Sequence, residues 1–405
     1  MKPEEIKEKI EEIEEKMPKY LAEKDLKNLD VYVYHSAEYT LVEKTLNPFW
    51  TWFASCFPDT MAPNMITLIG LLINITASFT VLFNDPTLEG KAPSWMYVLA
   101  SFALITYLNF DCADGKQARR LHASSPLGQL FDHGCDAINE VFILLTLCSA
   151  CGTGLNIHSS LVMIIQCTAF SLAQVLEYYI NVLVVGNKFF GTTESIILVS
   201  LVYLLGGLLG TDKIRTPISS LLPFIHLNMS VAECIMEITN LSMLGTIIYL
   251  FSDVVRLGPR VPEGERGGKR LMLFDFYQSC VPSVVMALCS LRLMMGSPLI
   301  KSHPVLLYCF CGFSFSFLST RVNIAHLCRR PLGWSFAGMF NMVVLTLNSF
   351  LHVVDQDKLL IACTVVLGLM YVWYVLTILG QIKRHLGIHA LHLGKIEKTD
   401  FIVCF

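Results

Sequence analysis

Residues 109–140 read NFDCADGKQARRLHASSPLGQLFDHGCDAINE, a polar stretch carrying four aspartates between two long apolar runs. What those carboxylates are for depends on their surroundings, because ionisable groups inside a bilayer are costly and usually functional. The surroundings are apolar: 54% of the 405 residues are hydrophobic and only 16% are charged, far from a soluble globular average. Runs near the ~20 residues needed to cross a bilayer recur at 65–83, 95–115, 128–150, 158–183, 193–210, 230–255, 271–296, 303–327, 331–352 and 359–382. The pattern predicts an all-α polytopic membrane protein with about ten transmembrane helices and leaves no room for a soluble domain. A net charge of −3, without a basic patch, gives no sign of a nucleic-acid partner.

The first thirty residues are highly charged and lack the apolar core of a signal peptide, which predicts a cytosolic start. Ile6, Ile10, Ile13 and Met17 recur at helical spacing, as in a short amphipathic helix. NPFWTWFASCFP, at 47–58, then concentrates Phe49, Trp50, Trp52, Phe53 and Phe57 ahead of the first span, the composition of a helix in the membrane interface. Residues 1–60 therefore read as a cytosolic segment with an interfacial amphipathic helix, 61–385 as the transmembrane domain and 386–405 as a cytosolic tail.

Lys and Arg crowd the loops on one side, at Lys116, Arg119, Arg120, Lys188, Arg256, Arg260, Arg266, Lys269, Arg270, Arg329, Arg330, Lys383 and Arg384. The opposite loops hold only Lys91, Lys213, Arg215, Lys301 and Lys358, so the positive-inside rule places both termini and the aspartates in the cytosol. Most cysteines fall inside spans, where they act as small core residues, and the lone Cys148–Cys151 C-x-x-C carries no chemistry. Of the glycosylation sequons, the one at Asn228 lies near a lumenal end, while those at Asn74 and Asn240 fall within spans.

On a helix, Asp111, Asp114, Gly115 and Ala118 share about 100° of arc, and Gly128, Asp132 and Asp136 share about 80° of the next. The intervening SSP favours a turn that brings the second helix back antiparallel. Four carboxylates then face one another, and an all-oxygen donor set suits Mg²⁺, Mn²⁺ or Ca²⁺. Two divalent ions there would bridge a diphosphate, with Gly115, Ala118 and Gly128 leaving room for substrate and Arg119 placed to grip a phosphate. A single aspartate would instead read as a juxtamembrane charge paired with Lys116, Arg119 or Arg120.

The spacing D-x2-D-G-x2-A-R-x8-G-x3-D-x3-D, matched at every position from Asp111 to Asp136, resembles the signature of the CDP-alcohol phosphotransferase family. DGKQARR and SSPLGQLFDHGCD are similar to its eukaryotic choline/ethanolamine branch, as are NPFW, MAPNMITLIG, LEYY and GTTE. The resemblance implies transfer of phosphocholine or phosphoethanolamine from the CDP-alcohol to diacylglycerol, releasing CMP, by a homodimer of the endoplasmic reticulum or Golgi membrane. It makes Asp111, Asp114, Asp132 and Asp136 the ligands of two Mg²⁺ ions, with Mn²⁺ as an alternative. Gly115, Ala118, Arg119 and Gly128 form the nucleotide-diphosphate pocket; His133 is the general base, and Asp136 is catalytic as well as a ligand. Gln129 departs from relatives that carry Glu, which removes a second carboxylate base at that position.

By the same resemblance Asn64 contacts nucleotide, although capping of the first span explains it equally. Glu177, with Tyr178 and Tyr179, either meets a cationic headgroup or is a polar residue paired between helices. Glu194 follows a turn at a helix start, and Glu233, Glu237, Asp275, Arg292 and Arg321 either line a cavity or pair with one another. Relatives acting on CDP-diacylglycerol share the core motif. An intramembrane prenyltransferase would place its two aspartate motifs far apart, and a divalent-cation transporter would leave the A-R element and His133 without a role. Choline or ethanolamine preference, acyl preference, organelle and native metal are not legible in these residues.

Overall fold

Thr40 begins the first long helix of the computed structural model through a capping box: its hydroxyl accepts from Glu43 N (3.1 Å) while its own N–H donates to Glu43 Oε2 (2.8 Å). This helix, α1 (Leu41–Ser55), starts ahead of the aromatic stretch and turns Trp52 and Phe49 outward while burying Trp50. The structure describes residues 19–394 except 36–38, 155, 185, 187–189, 222–228, 258–268 and 333–335. The expected amphipathic pattern of Ile6 to Met17 and the sequon at Asn228 lie outside the described residues.

Ten long helices follow: α2 (Pro63–Asn84), α3 (Ser94–Arg120), α4 (Pro126–Cys151), α5 (Ile157–Ile180), α6 (Thr192–Leu209), α7 (Val231–Leu257), α8 (Lys269–Gly296), α9 (Pro304–Leu327), α10 (Phe336–Leu351) and α11 (Gln356–Leu386). Among the described residues nine are long and apolar enough to cross a membrane; α10, described as an apolar helix over Gly338–Leu351, is too short by that measure. At 1.5 Å per residue the 16 residues of α10 rise about 24 Å, less than a ~30 Å hydrocarbon core. Its place in the bundle nevertheless requires it to run from end to end. Cys328 and Arg330, just after α9, bond to Asn28 and Tyr20, and Gln381 near the end of α11 bonds to Leu21, so both helices finish at one face. The far end of α10 meets Arg292 through Ser349, beside the start of α11.

Helices α4, α5 and α9 form the centre of the bundle, and α7 and α11 its periphery. The peripheral α11 presents Leu369, Val372 and Trp373 outward, which lipid accommodates as readily as protein does. Helix α3 packs between α2 and α6, and α2 also contacts α4. At the α3–α6 crossing a Cβ on Gly207 would stand 2.8 Å from Ser94 O and 2.9 Å from Val98 N. The two backbones touch there. Gly207→Val should wedge the helices apart and cost about 1–3 kcal/mol, read as a lower midpoint of thermal unfolding in detergent; an unchanged midpoint would exclude this packing.

Of the charged residues expected either to line a cavity or to pair with one another, Glu233 borders a cavity with Asn156, Arg215 and Ser230, and no two of them pair among the described residues. Glu233 and Glu237 both face His158 instead, Arg292 donates to Ser349 O (3.0 Å) and covers the Phe350 ring, and Arg321 lies over Tyr374. Asp275 is exposed on α8. Asn74 donates to Asn139 Oδ1 (2.8 Å) and Asn240 is buried, consistent with sequons enclosed in spans. Every cysteine among the described residues is free, Cys148 and Cys151 being buried in α4.

Candidate active site

Helix α3 runs without a break to Arg120, the turn puts His122 in the left-handed region (φ 52°), and Ala123 N donates back to Ala118 O (2.8 Å). Ser125 then caps α4 by accepting from Gly128 N (3.1 Å), with Pro126 at the first helical position, where its missing N–H costs nothing. This hairpin brings Asp111, Asp114 and Asp132 together so that one oxygen from each lies within 4.8 Å of the others.

Asp136, one turn further along α4, falls outside that group of three and accepts from the Tyr107 hydroxyl. Asp114 accepts from the hydroxyl of Thr67 on α2. Neither Tyr107 nor Thr67 figured among the expected site residues. Tyr107 precedes Asp111 by four residues and so extends the same helical face, a signal the sequence did hold.

Two of the three nearby cations are engaged elsewhere. Lys116 donates to Asn47 Oδ1 (2.5 Å), and Arg120 pairs with Asp59 (2.7 Å) and reaches Phe57 O (2.8 Å). Both serve α1 and the segment after it. Arg119 is exposed, makes no hydrogen bond or ion pair among the described residues, and lies over Gly115, its Nη1 3.6 Å from where a Cβ would sit. The Oδ1 atoms of Asp111 and Asp132 are buried without a hydrogen-bond partner. Paired carboxylate charges at this separation repel by on the order of 3 kcal/mol at an effective dielectric of about 20. Grouped carboxylates with unpartnered oxygens fit a divalent cation held by oxygen ligands.

Asn64 does not cap α2: Ala62 is the N-cap residue and Pro63 takes the first helical position. Its amide instead donates to Ala390 O (2.9 Å), and its Oδ1 lies 3.6 Å from where a Cβ on Gly128 would be. Asn64 therefore joins the chain after α11 to the rim of the hairpin. Glu194 takes the modest role of accepting from Gly191 N (2.9 Å) at the start of α6.

The His133 side chain faces Glu177 of α5. It is 6% exposed, its Nδ1 has no hydrogen-bond partner, and that atom stands 3.9 Å from Glu177 Oε2. Glu177 is 1% exposed and accepts from Gln129 Nε2 through Oε1 (3.0 Å). Gln129 thus holds in place a carboxylate that α5 supplies. His326 of α9, which no motif marked, brings its Nε2 to 3.7 Å from Glu177 Oε1. Tyr178 donates to Arg330 O (3.1 Å) and Tyr179 bonds with Ser279. The two tyrosines therefore tie α5 to its neighbours, and Glu177 faces the histidines.

The fold is that of a polytopic membrane protein with an acidic cluster on one helical hairpin. Residues 60–235 match the family model described as CDP-alcohol phosphatidyltransferase. A choline/ethanolaminephosphotransferase 1 of Arabidopsis thaliana is 28% identical over 398 residues, covering 93% of this chain and 99% of the relative. A cholinephosphotransferase 1 of Danio rerio is 27% identical, covering 93% and 96%. A choline/ethanolaminephosphotransferase 1 of Saccharomyces cerevisiae is 36% identical over 196 residues, covering 48% and 50%.

Proposed function

We propose that the chain transfers phosphocholine or phosphoethanolamine from the corresponding CDP-alcohol to the hydroxyl of diacylglycerol, releasing CMP and forming phosphatidylcholine or phosphatidylethanolamine. The observation that carries this reading is the group of three carboxylates on the α3–α4 hairpin, in a chain similar over 93% of its length to choline/ethanolaminephosphotransferases. The diacylglycerol oxygen attacks the phosphorus bearing the amino-alcohol, the bond from that phosphorus to the bridging oxygen breaks, and CMP departs with the bridging oxygen. The hydroxyl proton passes to a base.

Asp111, Asp114 and Asp132, with Asp136, would hold Mg²⁺, two ions in our reading, with Mn²⁺ able to substitute; the metal supplies charge neutralisation for the diphosphate. Thr67 and Tyr107 hold Asp114 and Asp136 in orientation. Arg119, free of other partners among the described residues, grips a phosphate from the open face of Gly115. Gly128 and Ala118 leave space beside it, and Asn64 borders the same space. His133 is the base, and Glu177 beside its Nδ1 stabilises the imidazolium that proton transfer creates. Buried and paired with Gln129, Glu177 is better placed for this than for a headgroup.

The enzyme is read as a homodimer of the endoplasmic reticulum or Golgi membrane, with its site toward the cytosol. Purified protein supplied with diacylglycerol and either CDP-choline or CDP-ethanolamine should release CMP in a Mg²⁺-dependent manner. Release only with CDP-diacylglycerol and a soluble alcohol would overturn the reading, as would cation flux without transfer. Orientation has its own check. Ser124, exposed in the α3–α4 turn, changed to Cys in a background without other reactive cysteines, should react with an impermeant maleimide added outside sealed microsomes. Labelling only after the lumen is opened would reverse the topology.

A further inference from the structure

Residues ahead of α1 strap the end of the bundle that bears the site. Leu21 N donates to Gln381 Oε1 (3.2 Å), Asn28 Nδ2 to Cys328 O (2.7 Å), and Arg330 Nη1 to Tyr20 O (3.1 Å). Leu21 and Leu29, each 2% exposed, pack with Leu127, Leu130, Ile324 and Ile378 in a core of their own. The strap thus joins α4, α9 and α11, and its next residue toward the site is Tyr32.

Tyr32 places its hydroxyl 3.0 Å from His326 Nε2, with the two rings edge to face at 5.5 Å. Beyond that nitrogen, at 3.7 Å, is Glu177 Oε1, the oxygen that also accepts from Gln129. The other carboxylate oxygen, Oε2, has no hydrogen-bond partner and is the one 3.9 Å from His133 Nδ1. Oε1 of Glu177 thus faces His326 on the α9 side, and Oε2 faces His133. A carboxylate favours the tautomer that turns an N–H toward it, and the Nε2 hydrogen of His326 then lies between Glu177 and the phenol oxygen.

We propose that Tyr32 and His326 are positioning residues for the transfer reaction, fixing the Glu177 carboxylate so that its free oxygen addresses His133, and that the strap is thereby part of the active site. Burial, and then the Glu177 carboxylate, push the Tyr32 phenol well above its ordinary range, so it remains an O–H group at working pH. The inference rests on the assignment of His133 and Glu177 as the proton-accepting pair. It extends the site beyond the matched family domain, since Tyr32 and His326 both lie outside residues 60–235.

The test measures kcat, both KM values and thermal midpoint for purified Tyr32→Phe, His326→Leu, His326→Gln and the Tyr32→Phe/His326→Leu pair, with Glu177→Gln alongside. Tyr32→Phe keeps the ring packing and removes one hydrogen-bonding group, so kcat should fall about 3- to 10-fold while both KM values and the midpoint hold. His326→Leu should fall further, His326→Gln should recover part of the loss through its amide N–H, and the double variant should match His326→Leu alone. Wild-type kcat in Tyr32→Phe, or losses that multiply in the double variant, would overturn the proposal if Glu177→Gln is itself impaired. Full activity in Glu177→Gln would instead remove the proton-pair assignment, and the inference with it.

Discussion

Asp114→Asn should reduce kcat/KM by more than about 10³-fold, on the order of 4 kcal/mol of transition-state stabilisation, and Asp111→Asn and Asp132→Asn should behave alike. The three substitutions preserve side-chain volume and remove one negative charge each from a group of carboxylates within 4.8 Å. Folding should survive, because losing one charge from a crowded group of carboxylates relieves repulsion in the metal-free protein. The variants should therefore be expressed in membranes with a thermal midpoint at or above that of the parent when chelator is present, and should lose the stabilisation that Mg²⁺ gives the parent. Partial recovery at high Mg²⁺ would agree with weakened affinity. Near-normal rates at ordinary Mg²⁺ would remove the aspartates from the reaction. Asp136→Asn makes a useful contrast, because that carboxylate stands outside the group of three and is held by Tyr107: retention of Mg²⁺ stabilisation with loss of turnover would mark it as catalytic more than ligating.

His133→Ala should lower kcat by about 10²–10⁴-fold, the usual contribution of a positioned base, while CDP-alcohol binding in the presence of Mg²⁺, followed by calorimetry, stays within a few-fold of the parent. The separation follows from where the side chain lies. His133 sits on α4 beside Asp132 in sequence but faces Glu177, and its unpartnered Nδ1 is directed at α5. Removing it should leave the carboxylate group able to bind metal and nucleotide. Loss of nucleotide binding in proportion to rate would instead make His133 a support for its aspartate neighbours, and retained turnover would require another base. With Gln129 lacking a carboxylate, Glu177 is the acidic group nearest to His133, so a residual rate in His133→Ala that vanishes in His133→Ala/Glu177→Gln would identify where the proton goes.

The aspartate hairpin is legible in the amino-acid sequence because its constraints are local. Helical rotation of about 100° per residue fixes which of residues 111 to 136 share a face, and Ser125 with Pro126 marks where the second helix begins. The spans are legible for a similarly short-range reason: a bilayer must be crossed by about 20 apolar residues whose backbone bonds are satisfied within the helix. α10 is legible too, as the apolar run at 331–352, but its helix is shorter than that run, and its direction follows from what its ends touch. A cap at Asn64 fails on a detail of one residue, because Pro63, with no N–H to lose, occupies the position that moves the cap to Ala62.

By itself the sequence determined the membrane class, the hairpin, the acidic cluster and the resemblance to a family signature. Only the tertiary structure decided that Lys116 turns to α1 and Arg120 to the segment after it rather than to the carboxylates. It also decided that Glu177, 44 residues beyond His133, stands beside it, and that His326 and Tyr32 stand behind Glu177. The physical reason is range. Periodicity and capping act within a few residues and can be read along the chain. Contacts among α4, α5, α9 and the N-terminal strap are set by how helices with similar apolar surfaces pack in lipid, where hydropathy does not distinguish one neighbour from another.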